Sequence, residues 1–354
     1  MPLNTKKFIN LLIKHDYTHL CVVPCSFSKN VINESINNNN IEYLPAASEA
    51  IACSIAAGLK MSGKKPIVII QSSGLSNMVS CITSLLKPYG VTFPILVSWR
   101  TYSEGDSEIQ HKHLSKELPN LISSLGYQKE ILDSSDLINS INQINSCNEK
   151  YKICIIEKNT FDKVELYNDR IKKTNSKISR VRYLSSLNDL YKNKDILFIG
   201  TTGHTSREMF KFMPNTNNFY MAGNMGGALS IGFGAAKSGR NVIVCGGDAE
   251  FVMHMGGLTT VGRDADEINL TYILFDNGQN KSTGGQDTYQ DHLNYIGIAE
   301  NAGFQVFRKP IDSIDQFKKA LKEINKLTFI HVKCSLDHET PRPPLKAVKL
   351  NKFS

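Results

Sequence analysis

The sequence reads CGGDAEFVMHMGGLTT at residues 245–260 and, a short polar turn later, YILFDNGQNKSTGGQ at residues 272–286. A short run of β-branched or aromatic residues opens or precedes each stretch, which predicts two buried strands. The turns after these strands supply two oxygen ligands, Asp248 and Asn277. Such oxygens, together with phosphate oxygens, suit Mg²⁺. The plainer alternative is a pair of ordinary tight turns, so this motif alone leaves both interpretations open.

Length and composition favour a soluble two-domain protein. The chain has 354 residues, no apolar run long enough to span a bilayer and no signal-peptide pattern, so we expect a cytoplasmic location. None of the eight Cys form a C-x-x-C pair, and most lie in apolar runs, which predicts reduced, buried thiols and no zinc site. The net charge of +8 is scattered among acidic residues, so we expect no nucleic-acid binding.

Predicted strands and helices alternate along the whole chain, which indicates an α/β fold with two doubly wound parallel sheets. We predict a first domain over residues 1–160, a charged linker over 161–181 and a second domain over 182–354 with an irregular tail. An amphipathic helix is expected at Ile131–Cys147. The predicted strands are Leu20–Val23, Pro66–Ile70, Pro94–Trp99, Lys152–Glu157, Ile196–Ile199, Val242–Cys245, Leu270–Phe275, Phe304–Val306 and Thr328–Cys334.

The first half of the chain carries candidate reactive side chains near its predicted strand ends. Glu49 stands in the first turn of a helix of small residues, where the helix dipole favours a carboxylate. A long polar loop holds His111 and His113 among acidic residues, which favours a functional loop over a solvated one. This pair could bind a metal, but no further ligand pair lies nearby. We therefore favour acid–base or substrate contact.

The first motif resembles the diphosphate–metal motif of thiamine diphosphate enzymes, Gly-Asp-Gly followed at a set distance by Asn-Asn. Gly247, Asp248 and Asn277 match it, whereas Ala249 and Asp276 depart from it. Further matches, in chain order, are VPCS at 23–26, QSSGL at 71–75, WR at 99–100, EIQH at 108–111, TTGHTSRE at 201–208, MHMG at 253–256 and STGGQ at 282–286. Together they make the chain similar to the phosphonopyruvate decarboxylase family, which has two domains and no middle domain.

The resemblance implies a pyrimidine-binding domain followed by a diphosphate-binding domain, with thiamine diphosphate and Mg²⁺ as cofactors. It implies that Glu49 activates the cofactor and that Met225 props its two rings into a V shape; His111 is our acid–base candidate. The implied metal ligands are Asp248, Asn277 and the backbone carbonyl of Gln279. The implied cofactor contacts are Glu49, Thr202, Gly203, His204, Asn224, Met225, Gly247, Asp248, Ala249, Glu250, Asn277 and Gln279. The substrate contacts we expect are Ser26, Lys29, Ser73, Arg100 and Gln110.

The implied reaction is decarboxylation of 3-phosphonopyruvate to phosphonoacetaldehyde and CO₂ in phosphonate biosynthesis. A homodimer or homotetramer with sites between subunits is expected. Sulfopyruvate, which differs in its anionic head group, is the main alternative substrate. Departures at Ser107, Ile109 and His204 bear on the catalytic loop and on the charge beside the diphosphate.

Two non-enzymatic alternatives are a catalytically dead cofactor binder and an oligomeric scaffold. The first is opposed by the intact Glu49, Asp248 and Asn277, and the second by the many polar loops at predicted strand ends. A third alternative is an enzyme that joins two 2-oxo compounds, which product analysis would separate from simple decarboxylation.

Overall fold

A computed structural model describes residues 1–102, 108–173, 176–214 and 218–335. The chain divides into two compact units, one formed by Met1–Ile171 with Asn280–Gln286, the other by Lys172–Gln279 and the residues from Asp287 onward. The departure at Ser107 and the tail from Asp337 lie outside the described residues. The predicted domain boundaries stay a prediction.

The first unit is built on a six-stranded sheet in the order β2-β1-β3-β4-β6-β5, with every pair parallel. Its strands are β1 (His19–Val22), β2 (Glu42–Pro45), β3 (Pro66–Gln71), β4 (Ile95–Ser98), β5 (Gln128–Ile131) and β6 (Lys152–Ile156). Its helices are α1 (Thr5–Lys14), α2 (Lys29–Asn37), α3 (Glu49–Met61), α4 (Val79–Cys81), α5 (Lys112–Ser124) and α6 (Leu137–Ser146). A 3₁₀ segment, Ser72–Met78, leads into α4, and a π-helical turn, Ile82–Leu86, follows it.

The second unit repeats this architecture with a second parallel sheet, in the order β13-β14-β10-β9-β7-β8. Its strands are β7 (Leu197–Gly200), β8 (Asn218–Tyr220), β9 (Val242–Gly247), β10 (Leu270–Asp276), β13 (Gln305–Val306) and β14 (Leu327–Lys333). The short β11 (Gln279–Asn280) and β12 (Gln286–Asp287) pair as a separate ribbon, and the chain passes from one unit to the other within each of them. Its helices are α7 (Arg180–Tyr191), α8 (His204–Phe212), α9 (Ala228–Lys237), α10 (Asp248–Met253), α11 (Gly257–Gly262), α12 (Tyr295–Asn301) and α13 (Ile314–Glu323). The predicted fold class is confirmed.

Both sheets are covered by apolar layers on each face, which explains why their central strands are continuous hydrophobic runs. In β3, Ile67 and Ile69 pack into one core cluster, and Val68 and Ile70 pack into the cluster on the opposite face. The strand β9 divides its side chains between two clusters in the same alternating way. Each unit therefore has its own hydrophobic core.

The predicted helix at Ile131–Cys147 was wrong at its start. Ile131 closes strand β5, and α6 begins at Leu137 after a turn that Asp133 holds by accepting from the backbone N–H groups of Ser135 and Asp136. Strands β2, β5 and β8 were not predicted. In the described part of the chain, no helix has the length and apolar character needed to cross a bilayer.

Candidate active site

Each sheet contains the crevice in which open α/β folds bind ligands. In the second unit, the chain passes from β7 to β8 on one side of it and then crosses to β9 on the other side, so the strand order reverses at β7. In the first unit, β2 and β3 flank β1 in the same way. Ligands bind at the carboxyl ends of strands at such reversal points. The predicted site residues follow these strand ends in both units.

The three predicted metal ligands lie together at the carboxyl ends of β9 and β10. The Asp248 carboxylate accepts from the backbone N–H of Ala249 at 2.8 Å and from that of Gly278 at 2.8 Å. The Asn277 amide lies 3.2 Å from the Gln279 carbonyl oxygen. One carboxylate, one amide and one backbone carbonyl form an oxygen donor set of the kind that Mg²⁺ takes alongside phosphate oxygens.

Asp248 is buried in this set, only 4% exposed. Burial, reinforced by the nearby Asp276, raises the pKa of the Asp248 carboxyl to about 7. A buried carboxylate without a compensating cation is costly, so a divalent ion beside Asp248 would offset that cost. The donor set therefore fits a bound cation in its charge as well as its geometry.

The carboxylate of Asp276 has a different role from that of Asp248. It accepts from His331 Nε2 at 2.8 Å and from Lys333 Nζ at 2.6 Å, both on the neighbouring strand β14. Burial opposes ionisation here, but these two partners lower the pKa of Asp276 to about 2. Its other oxygen accepts from the Gly278 N–H at 3.1 Å. Asp276 thus fixes the turn that carries two of the predicted metal ligands.

The turn after β7 offers bare backbone and hydroxyl groups to an anion. Gly203 precedes α8 at φ +86°, and no side chain caps the helix start. Thr202 donates its hydroxyl to the Ala222 carbonyl at 2.8 Å, while His204 is the first residue of α8. The buried hydroxyl of Thr201 has no hydrogen-bond partner among the described residues. An uncapped helix start beside an unsatisfied hydroxyl suits a phosphate group.

The loop before α9 carries the predicted ring-contacting residues. Asn224 has a left-handed backbone at φ +56°. Its amide packs so closely on Gly227 that a Cβ there would lie 2.2 Å from Asn224 Nδ2. Gly226 also has a positive φ, and His254 packs where its Cβ would stand. Met225 lies half-buried between these residues. The loop conformation thus depends on Asn224 and both glycines, and this conformation sets the position of Met225.

Glu250 lies between the end of β9 and the start of α9. Its carboxylate accepts from the Tyr272 hydroxyl at 2.9 Å and from the Gly247 N–H at 3.4 Å, and it also accepts from the Ala228 N–H that opens α9. Burial raises the pKa of Glu250 to about 7 despite these donors. These contacts tie the end of β9 to the start of α9. The predicted direct contact between Glu250 and the cofactor stays a prediction.

Glu49 in the first unit is held by a segment that sequence reasoning did not assign to it. It is 5% exposed at the start of α3, and Asn77 donates to its Oε2 at 2.8 Å. The carboxylate lies so close to Gly74 that a Cβ there would stand 2.2 Å from Oε1. Because only glycine leaves this space, the QSSGL motif fits around the glutamate. Asn77 and Gly74 thus fix the position of Glu49, and its role in activating the cofactor stays a prediction.

A second group of predicted residues in the first unit forms one polar network. Arg100 donates from Nη1 to the Ser26 hydroxyl at 3.0 Å, and its Nη2 lies 3.7 Å from Glu108. Glu108 also accepts from the Gln110 amide at 2.6 Å. The Arg100 guanidinium lies over the Phe27 ring and is only 6% exposed. A desolvated guanidinium is a strong donor for carboxylate or phosphonate oxygens.

Gln71 extends this network to the predicted acid–base group. Its amide nitrogen lies 2.6 Å from the Ser73 hydroxyl and 3.2 Å from His111 Nε2, and its amide oxygen accepts from the Cys25 thiol at 3.4 Å. Because the amide is a donor, the geometry fits a His111 whose Nε2 accepts. Gln71 was quoted for the resemblance but given no role. The signal that could have identified it was its place at the end of β3.

Lys29 is placed differently from the other predicted substrate contacts. It opens α2, and its ammonium group lies 3.6 Å from Glu165 Oε2. Its aliphatic stem packs against Gly284, where a Cβ would stand 2.9 Å from Lys29 Cγ. Beside it, Gln286 donates to Asn33 at 2.9 Å. The substrate role of Lys29 stays a prediction.

Comparison with known proteins supplies the deciding observation. Residues 5–121 match the thiamine pyrophosphate enzyme N-terminal binding domain, and residues 199–332 match the C-terminal binding domain of the same enzymes. The chain belongs to the thiamine pyrophosphate enzymes. The predicted family is confirmed, and the two domain models cover the predicted site residues of the first and of the second unit, respectively.

Relatives of this thiamine pyrophosphate enzyme carry two names. It is 28% identical to phosphonopyruvate decarboxylase of Streptomyces viridochromogenes over 326 residues, 86% of this chain and 81% of that protein. It is 26% identical to sulfopyruvate decarboxylase of Methanosarcina acetivorans over 362 residues, 92% of this chain and 90% of that protein. It is 39% identical to the sulfopyruvate decarboxylase β subunit of Methanothermobacter thermautotrophicus over 140 residues, 39% of this chain and 74% of that subunit.

Proposed function

We propose that this enzyme removes CO₂ from 3-phosphonopyruvate and releases phosphonoacetaldehyde. The observation that carries the proposal is the buried Arg100 guanidinium, which donates to Ser26 and lies 3.7 Å from Glu108. His111, which contacts Gln71, donates its backbone N–H to the carbonyl of the same Glu108. Such donors suit a small dianionic 2-oxo acid. Similarity to phosphonopyruvate decarboxylases over most of the chain supports the same substrate.

Thiamine diphosphate, when bound, would supply the nucleophilic carbon and the electron sink for loss of CO₂. Asp248, Asn277 and the Gln279 carbonyl would hold Mg²⁺, and the Gly203 and Gly247 turns would receive the diphosphate. A Cβ at Gly247 would meet no atom within 4 Å, so that turn leaves room for a ligand. These residues bind and orient the cofactor.

The residues of the first unit would handle protons and substrate charge. Glu49, fixed by Asn77, would hold the proton that keeps the cofactor ring in its reactive form. Arg100 would bind an anionic group of the substrate, and His111 would give the proton that the product needs. Decarboxylation of a 2-oxo acid to an aldehyde consumes one proton, so a nearby acid is required. Gln71 would hold the neutral His111 ring after the transfer, when Nε2 can accept from its amide.

Oligomeric assembly is part of the proposal. We infer a homodimer or homotetramer in which two subunits complete each site. Related sulfopyruvate decarboxylases named as α and β subunits support a multi-subunit enzyme. Light scattering of the purified protein would give the number of copies.

The test is release of CO₂ and aldehyde by the purified enzyme with thiamine diphosphate and Mg²⁺. We expect 3-phosphonopyruvate to be preferred over sulfopyruvate and pyruvate. Glu49→Gln should reduce turnover by at least about 10²-fold, because an amide cannot hold the activating proton. Glu42→Gln, which changes an exposed glutamate in the same unit, is the matched control and should retain activity.

The second candidate is sulfopyruvate decarboxylation. It is favoured by the similarity of this chain to a sulfopyruvate decarboxylase over 92% of its length. A preference for sulfopyruvate in the same assay would keep the residue roles and change the substrate. Absence of product from all three acids would refute the proposed reaction.

A further inference from the structure

Two cysteines stand one helical turn beyond the Glu49–Asn77 hydrogen bond. Cys53 follows Glu49 by four residues on α3, and Cys81 follows Asn77 by four residues at the end of α4. On α3 this spacing places Cys53 on the same face as Glu49. The two elements that hold Glu49 therefore meet again at the two thiols.

The thiols are in direct contact, with the two sulfur atoms 2.8 Å apart. A disulfide requires a sulfur–sulfur distance of about 2.05 Å, so closure needs a movement of less than about 1 Å. The Cys81 sulfur also lies 3.8 Å from the hydroxyl of Ser54, which is exposed. The pair is thus placed to react without rearrangement of the elements that carry it.

The two members of the pair differ in ways that suit a stepwise reaction. Cys81 is half-buried, whereas Cys53 is fully buried. The hydrogen bond with Cys53 lowers the pKa of the Cys81 thiol to about 7 against the opposing effect of burial, and Ser54 adds to the lowering. The same bond, with burial, raises the pKa of Cys53. Reactive cysteines combine thiolate character with access, and Cys81 has both.

We propose that Cys53 and Cys81 form a reversible disulfide when the folded enzyme meets a peroxide, with Cys81 as the attacking thiol. The Cys81 thiolate attacks a peroxide oxygen, the O–O bond breaks, hydroxide leaves and a sulfenic acid remains. The Cys53 sulfur then attacks the Cys81 sulfur. The S–S bond forms, and the hydroxyl group leaves as water with the Cys53 proton. The two thiols are oxidised, and the peroxide is reduced to two molecules of water.

A second close pair in the same unit provides an internal comparison. Cys147 and Cys154 have their sulfur atoms 3.6 Å apart, and both are fully buried. The hydrogen bond between the two thiols and, to a smaller extent, burial raise the pKa of Cys154. Because neither thiol is accessible, this pair should stay reduced under the same treatment.

The experiment treats the full-length folded enzyme with limiting hydrogen peroxide, blocks remaining thiols and maps peptides by mass spectrometry. We expect one linked peptide pair, Cys53 with Cys81, which dithiothreitol separates. Linkage of Cys147 with Cys154 at an equal rate, or linkage only in urea, would overturn the proposal. So would a Cys81 that stays unmodified.

Single substitutions assign the order of the two steps. Cys53→Ser removes the second thiol, so Cys81 should stop at a sulfenic acid that dimedone traps. Cys81→Ser should leave Cys53 unreacted because it is fully buried. A dimedone adduct on Cys53 in this variant would contradict the assigned roles. All these experiments measure covalent changes of cysteine and not the release of CO₂. A negative result would therefore refute the disulfide and leave the proposed decarboxylation untouched.

Discussion

His111 and His113 stand two residues apart but differ in their surroundings. His111 lies 3.2 Å from the Gln71 amide, inside the network that includes Arg100. His113 lies exposed on α5. Of the two histidines, His111 is therefore the one for which we predict an acid–base role.

Replacing His111 by Gln should therefore lower kcat by about 10²- to 10⁴-fold, the usual contribution of a general acid. Gln keeps hydrogen-bonding capacity near Gln71, so the thermal midpoint should change little. Steady-state kinetics on the preferred 2-oxo acid measures the effect. His113→Gln is the matched control, and an equal loss in both variants would contradict a specific role for His111.

Single residues with one dominant chemical requirement were predictable from the sequence. Asp248 and Asn277 follow hydrophobic strands directly, so their place at the carboxyl ends of the strands was foreseeable. The two residues are linked through Gly278, which follows Asn277 and donates its backbone N–H to the Asp248 carboxylate. Gln71 and Asn77 were not assigned, because their roles depend on partners far away in the chain. Pairings of that kind arise from packing, which no local pattern records.

At the scale of elements, helix α9 contains two glycines that differ in the space around them. Gly232 faces β9, and a Cβ there would stand 2.5 Å from Val244 Cγ2. Gly234 faces solvent, and a Cβ there would meet nothing within 4 Å. The close approach of α9 to the sheet thus depends on the first glycine and not on the second.

Gly232→Ala should lower the free energy of unfolding by about 1–3 kcal/mol, because the added methyl group overpacks the helix–sheet contact. Gly234→Ala should raise it by up to about 1 kcal/mol through helix propensity. Urea denaturation of both variants gives the comparison. If both substitutions stabilised the protein, the tight packing of α9 on β9 would be refuted.

Central strands were predictable, whereas three of the four edge strands of the two sheets were not. Strands such as β3 are buried on both faces and appear in the sequence as unbroken apolar runs. The missed strands β2, β5 and β8 lie at or next to sheet edges, and most of their residues are partly or fully exposed. Their short polar sequences carry little hydrophobic signal, so their pairing depends on the neighbouring strand.

At the scale of the whole molecule, cofactor binding should increase the free energy of unfolding. A ligand that binds only the folded state adds about 2.7 kcal/mol at a concentration one hundred times its Kd. Thiamine diphosphate with Mg²⁺ should therefore raise the thermal midpoint, and a chelator should reverse the rise. Because protons compete with Mg²⁺ for Asp248, whose pKa is near 7 without metal, the rise should shrink as the pH falls below about 7.

Asp248→Ala should abolish this rise, as measured by differential scanning fluorimetry. Asp291→Ala is the control, since Asp291 lies in the same unit, is largely exposed and pairs with Lys172. A full rise in the Asp248 variant would remove Asp248 from the metal site.

The two-domain organisation followed from the alternation of strands and helices, and two separate cores bear it out. The place of residues 280–286 could not be predicted. This segment carries the STGGQ motif and follows β10 in the chain, yet it clusters with the first unit. Its position depends on contacts such as the Gln286–Asn33 hydrogen bond, which spans most of the chain length.

The first unit is consequently not encoded by one continuous stretch of the gene. A coding fragment that stops at Ile171 would omit the segment that pairs with Asn33 and covers the stem of Lys29. Its product would expose a polar side chain that the complete unit buries. A division of this gene into two reading frames after Ile171 would place that short downstream piece on the second product.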